Sequence, residues 1–118
     1  MRIIELVRFV KSEYSYDFYP NAFPATAPDN SGIVRIFPAP TTSRQVNRLP
    51  CQVLVRASDM TTAESKAYEI YESLRMRTDF YVGPDRVVLC TASQPLFVEK
   101  DENNRTVYSV NFEIITEE

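Results

Sequence analysis

The stretch LPCQVLVRASD, residues 49–59, runs almost directly into TTAESKAYEIYESL, residues 61–74, and this junction constrains the fold more than any other part of the chain. Cys51, Val53, Val55 and Ala57 alternate with Gln52, Leu54, Arg56 and Ser58, so the first stretch reads as a strand with an apolar face. The period then changes. Ala63, Ala67, Ile70, Tyr71 and Leu74 recur at helical spacing, which predicts a helix over 62–77 with one apolar stripe. Thr61 and Glu64 have the spacing of a capping box, in which a hydroxyl and a carboxylate satisfy free amides at a helix start. Small alanines early in the helix let it lie close on a sheet.

The remaining segments fit around this unit. Ile3, Leu6, Val7 and Val10 predict a short amphipathic helix over 2–13. Tyr14, Tyr16 and Phe18 alternate in an extended segment that Pro20 ends. Residues 20–32, PNAFPATAPDNSG, hold three prolines and read as loop; IVRIF (33–37) is a short strand, and 38–48 is a second loop carrying Arg44 and Arg48. Both loops bury too little to offset their ordering entropy, so they are expected to be mobile until docked. After the central helix come FYVG, a Gly83-Pro84-Asp85 turn, RVVLCTA (86–92), PLFVEK (95–100) and a polar turn at Asp101–Asn104. In the closing strand, 105–115, Tyr108, Val110, Phe112 and Ile114 oppose Ser109, Asn111 and Glu113. One wet and one dry face predict an antiparallel sheet. The expected fold is α+β in a single domain, 1–118: a mostly antiparallel sheet of about four to six strands, with the N-terminal and central helices on one face.

Several function classes fall away on composition. With 13 basic against 16 acidic side chains, net −3, the chain lacks the cationic excess of a general nucleic-acid binder. It has no histidine, which removes Ser-His-Asp and Cys-His chemistry and the commonest general base. Two glycines, Gly32 and Gly83, cannot build a phosphate cradle or a dinucleotide fingerprint. Cys51 and Cys90 sit in apolar runs and read as buried thiols, too far apart in sequence for an evident zinc site. The carboxylate pairs Asp101-Glu102 and Glu117-Glu118 fall in a turn and at the chain end, where solvated charge is the plain reading. The chain is expected to be no enzyme and to hold no cofactor or metal. Glu5 and Arg8 interrupt any signal-peptide core, and no apolar run approaches the roughly 20 residues of a membrane span. A soluble protein made in the cytoplasm is expected.

Arg56 is the most pointed single residue, set in a strand with Asp59 just beyond. It either tethers a turn carboxylate or neighbouring carbonyls, or it serves a subunit interface, where arginine is enriched. Arg56, Asp59, Arg44 and Arg48 are the interface candidates.

The order of motifs suits both roles, scaffold and subunit interface, and not an active site. A short N-terminal helix, the entry YPNAFP, the strand LPCQVLVRASD, the helix AESKAYEIYESL, the hairpin PLFVEKDENNR and the closing YSVNFEI together resemble the minor capsid or tail terminator proteins of long-tailed bacteriophages. The resemblance spans nearly the whole chain and rests on order and spacing. Its one departure is a glycine-free 38–48 loop, which leaves open whether strands lie there. It implies an α+β subunit forming a homo-oligomeric ring, a hexamer, that caps a tail tube, ends its growth and joins the head. The implied partners are further copies of the chain, the tail tube protein and a head-side connector or stopper protein. DNA only passes through the channel, which a mildly acidic chain suits, and no membrane is involved. The implied location is the virion tail or neck, assembled in the host bacterial cytoplasm. Another neck or head-completion component, or a small ligand- or peptide-binding module, are the alternatives.

Overall fold

The two longest strands pair along their whole length: β3 (Val46–Ala57) and β7 (Thr106–Glu117) run antiparallel, from Val46 opposite Glu117 to Ala57 opposite Thr106. The structure is a computed structural model that describes residues 1–40 and 46–117. On the outer edge of β3 lies β2 (Ser31–Ile36), antiparallel, and beyond it β1 (Asp17–Pro20), parallel to β2. Two shorter strands share the other edge of β7 end to end. β5 (Asp85–Ala92) takes its C-terminal half and β6 (Leu96–Lys100) its N-terminal half, with β4 (Arg77–Val82) beyond β5. The described residues thus form a seven-stranded, mostly antiparallel sheet, one strand more than the four to six expected, because the YSYDFYP segment also joins it.

Helices α1 (Ile3–Glu13) and α2 (Met60–Leu74) turn their apolar stripes to one core. Leu6, Val7 and Val10 come from α1 and Ala63, Ala67, Ile70 and Leu74 from α2; they meet Val34, Cys51, Val53, Val55, Val110, Phe112 and Ile114 of the sheet. Ala63 and Ala67 are fully buried, so α2 does lie close on the strands. Ile70 and Leu74 each contribute about 1.5–3 kcal/mol by leaving water.

The helix boundaries correct the sequence reading. Asp59, in extended conformation, caps α2: its carboxylate accepts from the Thr62 N–H at 3.0 Å and the Thr62 hydroxyl at 2.7 Å. Thr61 is already helical, and Glu64 instead accepts from the Tyr108 hydroxyl at 3.0 Å. A carboxylate two residues ahead reaches the free amides first. α2 stops at Leu74 and not at residue 77, because Arg75 is extended and Met76 is left-handed (φ 54).

Both loops are shorter than expected. Ser31 and Gly32 already belong to β2, and Val46, Asn47 and Arg48 to β3, whose polar start pairs with the polar end of β7. The stretch 41–45, with Arg44, lies outside the described residues. Because β1 and β2 are parallel neighbours, the chain between them must cross over the sheet. The helices hold one face, and the crossover 21–30 lies on the other. Ile33, Val107 and Ser109 are therefore buried on the face expected to be wet. None of the described helices is long and apolar enough to cross a membrane.

Candidate assembly surfaces

Arg56 lies under that crossover, 5% exposed. Its Nε donates to the Asp29 carbonyl at 3.2 Å, and its Nη2 to the Pro28 carbonyl at 2.8 Å and the Ser31 hydroxyl at 3.2 Å. The guanidinium carbon stands 3.9 Å from the centre of the Phe23 ring. A planar fork of donors with an aromatic stacking face suits this arrangement, and lysine could not reproduce it. Burial lowers the pKa of Arg56, and the charge of Arg105 adds to the effect. The backbone on either side is held as well. Tyr16 donates its hydroxyl to the Arg56 carbonyl, and the Ser58 N–H donates to Asn30 Oδ1 at 2.9 Å. The side chain works inside its own chain, as a clamp on the crossover.

Arg105 extends the clamp to the β6–β7 turn. Its Nε reaches Asp101 Oδ2 at 2.8 Å and its Nη1 reaches Asp29 Oδ1 at 3.2 Å. Asp101 Oδ1 also accepts the backbone N–H groups of Asn103 and Arg105. Asp29 is 66% exposed, so the outer bridge adds little by itself. The other candidates lie apart from one another. Asp59 stands beside Arg56 as the α2 cap, whereas Arg48 lies eight residues back along β3, roughly 26 Å away, bridging Glu113 at 3.0 Å.

Sequence reasoning placed β6 in the PLFVEKDENNR hairpin but passed over its exposure. All five of its residues are exposed, with Leu96 at 62% and Phe97 and Val98 at 47%. One edge of β6 pairs with β7, and the other is free among the described residues. Beside it, on the crossover face, Phe23, Ile33, Leu54, Arg56, Val98 and Val107 line a groove of about 370 Å³. On the helix face Phe97 tilts against Tyr108, ring centres 5.8 Å apart. The signal was present in PLFVEK, three consecutive large apolar residues that do not alternate with polar ones, as a strand with a wet face would require.

Cys51 and Cys90 are buried, and burial pushes both thiols up to about 12, which leaves them inert. Leu96, Phe97 and Val98 form the one run of three consecutive exposed large apolar residues among the described residues. The model of the bacteriophage tail terminator proteins matches residues 9–118, and the chain belongs to that family, a structural component of the phage tail. No curated protein matches it. Among solved structures, one superposes with a TM-score of 0.56 at 17% identity, over 97% of this chain and 87% of that one. At that identity the likeness concerns the fold alone.

Proposed function

We propose that the protein caps the growing end of a phage tail tube as a ring of identical subunits, six in number, stopping tube growth and presenting the surface that receives the head. The family match over residues 9–118 carries this reading. The anatomy supports it. The apolar body holds each subunit rigid, while the open β6 edge and the exposed Phe37, Met60 and Tyr81 offer contact surface. Ring closure follows from a head-to-tail contact repeated around an axis. The implied partners are further copies, the tube protein and a head-side connector, with assembly in the host cytoplasm and DNA passing through the lumen.

Electron microscopy of tails assembled with and without the protein tests this. Tubes of uniform length ending in a ring of this chain are expected with it, and overgrown tubes without it. Uniform tubes in its absence would overturn the reading.

A further inference from the structure

Burying a guanidinium is costly unless its donors and its charge are both met. At Arg56, 5% exposed, neither is met in full. Nε and Nη2 hold the Pro28 and Asp29 carbonyls and the Ser31 hydroxyl, but Nη1 has no acceptor among the described residues. Arg56 makes no ion pair among them either. The carboxylates that act on it, Asp101 and Asp29, are taken up by Arg105 at 2.8 and 3.2 Å. Their attraction does not offset burial and the charge of Arg105, so the pKa of Arg56 stays below its ordinary value. The corner is short of negative charge.

The same side chain lines a groove of about 370 Å³. Ile33, Leu54 and Val107 give the groove apolar walls, and Phe23 lies against the guanidinium. Arg35 is a second cation in the lining with no ion pair among the described residues; it donates to the Asn21 carbonyl at 3.3 Å and to Gln52 Oε1 at 3.5 Å. Of the two acids in the lining, Asp101 is held by Arg105 and by the N–H groups of Asn103 and Arg105. Glu99 is exposed, makes no ion pair among the described residues, and shares a row with Arg56 across Val107. Two cations without a carboxylate thus stand against one such acid, around an apolar surface.

We infer that this groove anchors an acidic residue of a partner polypeptide, whose carboxylate accepts from Arg56 Nη1 while an adjacent apolar side chain covers Ile33, Leu54 and Val107. A carboxylate meets both deficits at once. It completes the donor set of the guanidinium with a charge-assisted bond, roughly twice as strong as a neutral one, and it supplies the missing charge. A carboxamide would meet only the first. Sites for free small molecules enclose most of the ligand. This groove runs beside the β6 edge that is free among the described residues, where Val98 is 47% exposed, so a chain can lie along it and insert side chains. The inference is independent of the capping reading.

The free protein suffices for the test. The blocked dipeptide acetyl-Leu-Glu-amide is the probe, and acetyl-Leu-Gln-amide is its uncharged counterpart. In a nuclear magnetic resonance titration, saturable shifts are expected at the Arg56 Nε–H and at the methyl groups of Ile33, Leu54 and Val107. The glutamate probe should bind at least about tenfold more tightly than the glutamine probe. Two substitutions on the exposed rim leave the clamp intact. Val98→Glu should weaken the glutamate probe several-fold and Glu99→Gln should strengthen it, with little change for the glutamine probe. Equal binding of the two probes, shifts gathered outside the groove, or no saturable shift at millimolar probe would overturn the inference. Rim variants that leave the preference for glutamate unchanged would overturn it as well.

Discussion

Two neighbouring parts of the sheet are finished to different degrees. At the Arg56 corner a buried guanidinium meets two carbonyls, a hydroxyl and an aromatic ring, and the crossover above it is closed down. At β6, separated from Arg56 by β7 alone, three apolar side chains face water and one strand edge has no neighbour among the described residues. The Asp101–Arg105 turn joins the two parts, tied to the corner through Asp29 and leading straight out of β6. The contrast teaches that conspicuous chemistry and exposed apolar surface need not coincide. The Nε and Nη2 donors of the arginine are engaged within its own chain, while the plain apolar strand faces water.

The largest expected effect breaks the closed side. Arg56→Glu should cost about 3–5 kcal/mol of folding stability, because a buried carboxylate would face the Pro28 and Asp29 carbonyls, which would lose the donors they now accept from. Arg56→Met, which keeps the stem over Phe23, should lose less. Urea unfolding of both variants measures this. A wild-type midpoint for Arg56→Glu would show that the crossover does not depend on the clamp.

A smaller effect lies at the helix start beside Arg56. The hydroxyl and backbone N–H of Thr62 both donate to the Asp59 carboxylate, in that order of effect, and hold its pKa below the ordinary carboxylate value. Stability gained this way is complete above the unfolded-state pKa and is lost as pH falls through the lower folded-state value. Asp101 moves in the same direction: partial desolvation raises its pKa, but bonds from Arg105 and Asn103 outweigh it. Asp59→Asn keeps a capping side chain, so it should match wild type closely at pH 7 and lose less than wild type in the acid limb. Unfolding curves taken from neutral pH down past the carboxylate range check the sign. An identical acid limb in the variant would show that the Asp59 charge contributes nothing.

How much of this the sequence discloses follows from what periodicity measures. Hydrophobic alternation reports burial, so the core faces of β3, β7, α1 and α2 were readable. It does not report pairing. Val46–Arg48 and Thr116–Glu117 are polar strand ends bonded to one another, and both were read as lying outside the strands. The partners of Arg56 lie 27 and 28 residues away on an irregular segment, and only the parallel pairing of β1 and β2 brings them over it. That pairing also made the wet face partly dry. β6 was recognised as a strand, but its openness depends on where β5 ends along β7, a register that no local pattern encodes.

The smallest expected effect sharpens the open side. Leu96→Ser should change the stability of the free subunit by no more than about 0.5 kcal/mol, since a side chain 62% exposed has little burial to lose. The same substitution at a core site such as Ile114, 1% exposed, would cost several times more. Coincident denaturation curves for Leu96→Ser and wild type would place β6 outside the balance that holds the monomer together. Its apolar residues would then need another reason to be there, and an exposed leucine, phenylalanine and valine on an edge guarded only by a bulge, Glu99 and Lys100 invite aggregation unless a partner covers them. A loss above about 2 kcal/mol would instead assign Leu96 to the subunit's own core, and the difference between the two sides of β7 would vanish.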